Sequence, residues 1–561
     1  MADPQVHALA EDYWETYLEA NPTTATMFGD HRYDDRIEDL SAAGEQHLRL
    51  RWTALSDRLS GIDRSPLQLD DRASCRQLAQ EIGDAIAGID VRLVELQSDQ
   101  MTGHHVGLLT TASLVSAPDS ESAWKLVDRL RQIPRAFEQA GQRFLDGVAS
   151  GRTPAKVCID RSLNVIDGYL GSPIEADAFA RIKGPADWDG ETRWRAALGE
   201  AVRDAVRPAY QHLAEVLRHR LLPVARDDEH CGLGWLDDGS EIYAALVRHH
   251  TTIDVTPAEA HNFGLAEVTR KLPDEYAAVA GRHFGLTQPA EIFDRLRHDK
   301  TLRYQTPEEI MAAARAILES ATAVMPDWFG RLPQTQCAIE AVPAYLAPDS
   351  PVAYYVPPAP DGSRAGTYFV NTGNPQDKAR YEAASIGFHE AIPGHHLQLT
   401  IASERSDLPR FRRFSLSNAA YCEGWGLYAE RLADEMELYP GNLDRLGMLS
   451  ADSLRSCRLV VDTGLHAMQW SRNQAIEFMA AHTPMSRGEV TVEVDRYIGM
   501  PGQALSYKLG QREIFRLRDA ARSALGNTFD IRSFHDAVLG SGSLALPVLG
   551  DLVEDWIGSR R

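Results

Sequence analysis

Apolar residues spaced three and four apart, with charged residues filling the positions between, recur over residues 5–20, 43–60, 73–98, 120–150, 190–222, 257–282, 306–324 and most of 380–540. That spacing lays one apolar stripe along a 3.6-residue helix and confines the chain to a mainly α fold. Helix starts are marked too. Thr256-Pro257-Ala258-Glu259 combines a capping box with proline at the first helical position, and Thr306-Pro307-Glu308-Glu309 sets an N-cap before a proline and two acids. One stretch departs from the period. Between 336 and 372, β-branched and aromatic runs flank Pro360-Asp361-Gly362, which predicts two or three strands of a small antiparallel sheet.

A chain of 561 residues can bury a large core, and 44% hydrophobic with 25% charged residues is ordinary for a globular protein. There is no repeat, low-complexity tract or clear linker, so the expectation is one large unit with a tentative division between 250 and 300 into lobes 1–280 and 281–561. Lysine plus arginine number 58 against 80 acids, a formal charge of -22, which argues against broad attraction to nucleic acid or anionic lipid. Cysteines 75, 158, 231, 337, 422 and 457 form no CxxC pair and read as thiols in a reducing compartment. The opening MADPQVHALAEDYWETYLEA lacks the basic start and apolar run of a signal peptide, and no apolar run reaches about 18 residues. These features predict a cytoplasmic protein with no membrane span.

Residues 389–398 read HEAIPGHHLQ. In a zinc-peptidase helix of the HExxH kind, two histidines four apart share a face and the glutamate serves as general base. His389 and Glu390 fit the first half, but the fourth position is Pro393. Proline removes a backbone donor and the following glycine loosens the backbone further. In an undisturbed helix His395 would lie about 240° around from His389, and His396 nearly on its face but about 10 Å along the axis. A bulge or overwound turn at Pro393-Gly394 would bring His395 back to the metal face; His396 is the competitor, and if His395 coordinates, His396 would face the cleft as a substrate contact or hydrogen-bond a neighbour. An acid from a neighbouring helix, 417–438, completes the set: Glu423, 28 residues after His395, with Glu430 seven further on the same face. Gly424 and Gly426 would let two helices approach closely there.

HE, two variable residues, PGH and a downstream EGW resemble the signature of the bacterial family called domain of unknown function 885. NPTTATMFGDHRYDD, GLGWLDDGSEIYAALVRHHTT, AHNFGLAEV, AYYVPPAPDGSRAGTYFVNT, SCRLVVDTGLHAMQW and EVDRYIGMPGQALSYKLGQ also match its pattern, so the likeness spans nearly the whole chain. That family resembles the helical gluzincin metallopeptidases. The resemblance implies a large two-lobed helical fold with a deep cleft, one Zn2+ held by His389, His395 and Glu423, and Glu390 as general base.

Other candidates fill the expected cleft. Tyr507 resembles the tyrosine that stabilises the oxyanion in related peptidases, with Tyr497 as second candidate. His466, four residues after Asp462, is a candidate substrate contact oriented by that carboxylate. Arg496 is a candidate clamp for a substrate carboxylate. His31, Tyr243, His249, His250 and His261 fall in family-like segments and are candidates for the opposite wall. The expected activity is zinc-dependent hydrolysis of short peptides. Alternatives are a metal-dependent amidohydrolase of acyl-amino-acid or other non-peptide conjugates, and a noncatalytic metal-containing binding protein.

Overall fold

The computed structural model describes residues 3–343, 347, 350–359, 364–415 and 417–561. Helices dominate it, and their starts follow the local chemistry. Thr256 and Glu259 exchange the two hydrogen bonds of a capping box, and the Thr306 hydroxyl accepts from the Glu309 amide. Prolines explain where the periodic stretches divide. The stretch 120–150 forms two helices, Ser120–Leu130 and Ile133–Ala149, the second carrying Pro134 in its first turn. Pro208 and Pro273 sit within long helical runs, each preceded by a π turn in which the residue before the proline donates five positions back, Arg207 to Val202 and Leu272 to Glu267.

Three core clusters organise these helices. Pro4–Ala20, Ala42–Ser60 and Leu69–Asp90 share a core that also takes in Phe411. Beside Phe411, the buried Arg412 donates to Asp70 O, Ser74 Oγ and Ser541 O, tying the N-terminal helices to the C-terminal region. A second core collects residues from 37 to 221. The largest runs from Ala155 to Ile557 and contains Tyr276, Ala280 and Ile292 alongside residues of 381–557. A division at 280 therefore runs through a continuous core, because Pro257–Ala266 and Leu272–His283 both pack on Asn442–Ala467. That 26-residue helix is buried along nearly its whole length and also touches Ala383–Glu390, Ala419–Glu435 and Ser506–Leu525. Among the described residues no helix is long and apolar enough to cross a membrane.

The sheet precedes the HE motif but is mixed. Strands β1 (Ala338–Ala341), β2 (Ala353–Val356) and β3 (Thr367–Val370) lie in the order β1-β3-β2, with β2 antiparallel and β1 parallel to β3. The expectation of a purely antiparallel sheet is corrected by which strand takes the centre. Tyr368 and Val370 of β3 are buried in a cluster with Tyr304, Ile310 and Ala314, so β3 inserts between two strands that themselves run oppositely. The Pro360-Asp361-Gly362 turn lies outside the described residues.

Candidate metal centre

The helix Ala383–Glu390 carries His389 and Glu390 in its last turn and ends where Ala391 leaves helical angles, at φ −103° and ψ −101°. A four-residue turn follows, with a cis Ile392–Pro393 peptide, and a new helix, His395–Glu404, begins after Gly394. The expected bulge inside one helix is corrected to two separate helices. Pro393 has no amide to continue the first, and the chain folds back so tightly that a Cβ on Gly394 would lie 1.8 Å from His389 O. The turn sets the first residue of the second helix against the end of the first: the His389 and His395 rings are 4.7 Å apart at 84°.

The EGW segment closes the arrangement from the helix Ala419–Glu435. Glu423 Oε2 lies 3.3 Å from His389 Nε2 and 3.5 Å from His395 Nε2. One ligand atom from each of the three residues lies within 4.8 Å of the others. Gly424 packs on Gly510 of Ser506–Leu525, where a Cβ would meet the Gly510 Cα at 2.5 Å. Trp425 Nε1 donates to Pro393 O at 2.9 Å and so fastens the Pro-Gly turn to the helix that bears Glu423.

Glu430 orients His389. Its Oε1 accepts the Nδ1–H at 2.8 Å, leaving Nε2 directed at the cluster, while its Oε2 accepts from Ser385 Oγ at 2.5 Å. At His395 the second ring nitrogen faces Cys422 Sγ at 3.7 Å. Burial opposes charge on all three clustered groups, yet the two imidazoles hold Glu423 well below the usual carboxylate range. Conversely, Glu423 and Glu430 hold His389, and Cys422 and Glu423 hold His395, above the ordinary histidine value. Burial pushes the Glu390 carboxyl up, with Glu423 adding to the effect while His389, His395 and Arg455 oppose it. Three acids, Glu390, Glu423 and Glu430, thus share one largely buried spot with two imidazoles, Glu423 keeping 23% of its side chain exposed. Such a spot draws positive charge, and its two nitrogens and one carboxylate oxygen are a donor set suited to a divalent zinc-like cation.

The other candidates are distributed unequally. Tyr507 reaches the cluster: its ring lies 6.4 Å from that of His389 at 26°. His396 faces away, donating from Nε2 to Thr335 O and accepting the Tyr355 hydroxyl at Nδ1, and burial lowers it to about 4. Tyr497 donates to Glu493 and accepts from Arg458 Nε, and Arg496 Nη1 donates to Gln503. The Asp462–His466 pairing is corrected. Asp462 accepts from Tyr243 Oη and the Gly502 amide, whereas His466 accepts the Leu233 amide and donates to Tyr497 O. His31 pairs with Asp34, His249 faces Asp84, His261 meets Thr463, and His250 lines a cavity of ≈ 240 Å³ with Asp99 and Arg226. Sequence reasoning placed Glu430 on the right face without a role. It missed Cys422, Arg455 and Arg458, although Arg455 and Arg458 stand three apart on one helix, the spacing of neighbours.

A sequence profile described as "Bacterial protein of unknown function (DUF885)" matches residues 22–553. Two solved structures share the fold. A "putative lipoprotein" from Colwellia psychrerythraea aligns at 25% identity over 99% of both chains with a TM-score of 0.91. A "putative lipoprotein of unknown function" from Shewanella oneidensis aligns at 17% identity over 98% of this chain and 99% of that one, with a TM-score of 0.73. No curated protein matches the chain significantly.

Proposed function

The chain belongs to the bacterial DUF885 family, and on that premise we propose that it is a metal-dependent hydrolase that cleaves peptide bonds in short peptides. The observation that carries this reading is the convergence of His389 Nε2, His395 Nε2 and a Glu423 carboxylate oxygen within 4.8 Å, with Glu390 next in sequence to the first ligand. Those three residues would hold one Zn2+. A bound zinc ion would supply Lewis acidity, polarising a carbonyl and lowering the pKa of bound water towards about 7.

The chain's own residues do the rest. Glu390 accepts the proton of the attacking water and delivers it to the leaving amine, a task for a carboxylate whose basicity burial raises. Tyr507 offers its hydroxyl to the developing oxyanion. Glu430 keeps the His389 ring in one tautomer throughout.

A gluzincin-like cleft is the architecture we propose around this site. A cavity of ≈ 110 Å³ supports it, since Met27, Phe28 and Leu114 from the N-terminal helices line it together with Val356, Leu399 and Cys422. Cys422 links this cavity to the cluster, its Sγ lying 3.7 Å from His395 Nδ1, although none of His389, Glu390, His395 and Glu423 lines it. Because β2 is an edge strand and Val356 borders this cavity, an extended substrate can pair with the strand, which favours peptides over other amides. The six free cysteines support a reducing, intracellular location.

The test is elemental analysis combined with digestion of a peptide library and of acyl-amino acids. Stoichiometric zinc, peptide cleavage, and loss of turnover with retained metal in Glu390→Gln are the expected results. Unchanged turnover in that variant sinks the mechanism, and cleavage of acyl-amino acids alone favours the amidohydrolase alternative.

A further inference from the structure

Beside the cluster, three arginines are under-satisfied. Arg458, on Asn442–Ala467 and only 5% exposed, donates from Nε to Tyr497 Oη at 3.0 Å and from Nη2 to Glu493 Oε2 at 2.9 Å. Its Nη1 is buried and meets no acceptor among the described residues. One turn earlier, Arg455 has a buried Nε in the same condition, and its Nη2 stands 3.8 Å from Glu430, beyond hydrogen-bond reach. Arg496 donates from Nη1 to Gln503, while its buried Nη2, 3.5 Å from Glu493, makes no hydrogen bond.

Of the acids beside these guanidiniums, Glu493 is hydrogen-bonded by Arg458 alone among the three, and Glu430 is already committed to His389 and Ser385. A buried donor without an acceptor is destabilising, and a ligand that supplies acceptors relieves that cost. The surplus donors are all arginine, whose planar fork fits a carboxylate with two parallel hydrogen bonds. Their position is defined by Tyr507. The Arg458 guanidinium carbon lies 4.4 Å and that of Arg455 5.8 Å from the centre of its ring, and the His389 ring lies 6.4 Å from the same centre. One aromatic ring separates the cationic group from a cluster histidine.

We infer that Arg455, Arg458 and Arg496 form a subsite for a substrate carboxylate, so that the preferred substrates present a free C-terminal carboxyl beside the bond to be cut. This rests on the hydrolase reading for the cleavage but not for the binding. The subsite makes the enzyme an exopeptidase acting at the C-terminus, with the terminal residue spanning from the arginines to the cluster.

Calorimetric titration of the full-length, chelator-treated protein with N-acetylphenylalanine and N-acetylphenylalaninamide separates the two claims. Without metal, the acid is expected to bind at least about tenfold more tightly than the amide, with the ratio shrinking as salt rises, as for a charge-assisted pair. The ratio falls towards one in Arg458→Gln and in the less buried Arg496→Gln, each checked for an unchanged melting profile. Arg458→Lys, which keeps the charge but loses the fork, restores only part of it. Equal binding of acid and amide by the unaltered protein, or a preference that survives both glutamine variants, overturns the subsite. If the preference behaves as expected but no peptide is cleaved with any metal, the hydrolase reading fails and the subsite stands. Cleavage of peptide amides as fast as of free acids has the opposite meaning.

Discussion

The backbone of Gly426 runs so close beneath the His389 imidazole that a Cβ added there would lie 2.6 Å from Cε1, 2.7 Å from Nε2 and 2.9 Å from Nδ1. The ring cannot yield without giving up either Glu430 or the cluster. On the proposed zinc site, Gly426→Ala is therefore expected to weaken zinc binding by roughly 10–100-fold, the range for losing the support of a metal-binding histidine. Helix propensity alone predicts the reverse sign, a gain of up to about 1 kcal/mol. Gly199→Ala, at a helical glycine with nothing within 4 Å, is the control and should be neutral or stabilising. Zinc competition with a chelating dye reads the difference; equal affinities for Gly426→Ala and the parent protein would show that the ring is not confined.

Glu430 supplies both a fixed acceptor and a negative charge to His389, and two variants divide these contributions. Glu430→Gln can still accept the Nδ1–H through its amide oxygen, but the amide nitrogen then faces the Ser385 hydroxyl, which must turn to accept. Glu430→Ala removes the acceptor altogether. Zinc affinity should fall by about tenfold in the glutamine variant and by about 100-fold in the alanine variant. Identical losses in both would mean that charge, not orientation, is what Glu430 provides.

His395 and His396 are adjacent, yet their rings point to different parts of the molecule. His395→Ala should abolish stoichiometric zinc. His396→Gln should retain it while destabilising the fold by about 1–3 kcal/mol, because the Tyr355 hydroxyl and Thr335 carbonyl lose their partner. Elemental analysis and urea denaturation of the two variants decide the matter, and loss of zinc in the second would reassign the ligand.

What could be read beforehand was local. Capping at Thr256 and Thr306 depends on residues within three positions, and the break at Pro393-Gly394 follows from the geometry of two residues. The HE, PGH and EGW segments are each short enough to recognise, though their coupling through Trp425 and Pro393 emerges only in three dimensions. Choices among distant partners were not legible. Asp462 and His466 are correctly spaced to meet on a helix, but Tyr243 and Leu233, 219 and 233 residues away from them, take both. The parallel pairing of β1 depends on β3 being the strand that buries Tyr368, a tertiary outcome. The arginine cluster depends likewise on Asn442–Ala467 meeting Arg487–Gly499.

The helix bearing Glu423 and Glu430 is also anchored by a histidine with a clear pH signature. His535 donates from Nδ1 to Trp328 O at 2.8 Å and accepts the Tyr428 hydroxyl at Nε2, also at 2.8 Å, while its ring stacks on Phe329. Burial lowers it to about 3, so the folded protein holds it neutral where the unfolded chain, near the ordinary 6.5, takes up a proton. Its contribution to stability is therefore fully present above pH 6.5 and is lost as pH falls towards the folded value. Between pH 7.5 and 5.0 that loss amounts to about 2 kcal/mol for one such group. His535→Gln has no imidazole to titrate, so the stability gap between the parent protein and this variant should narrow by about that amount over the same interval. Urea midpoints for both proteins at the two pH values test it; a gap that stays constant would mean that His535 titrates alike in the folded and unfolded chains, and that its hydrogen bonds do not hold it neutral.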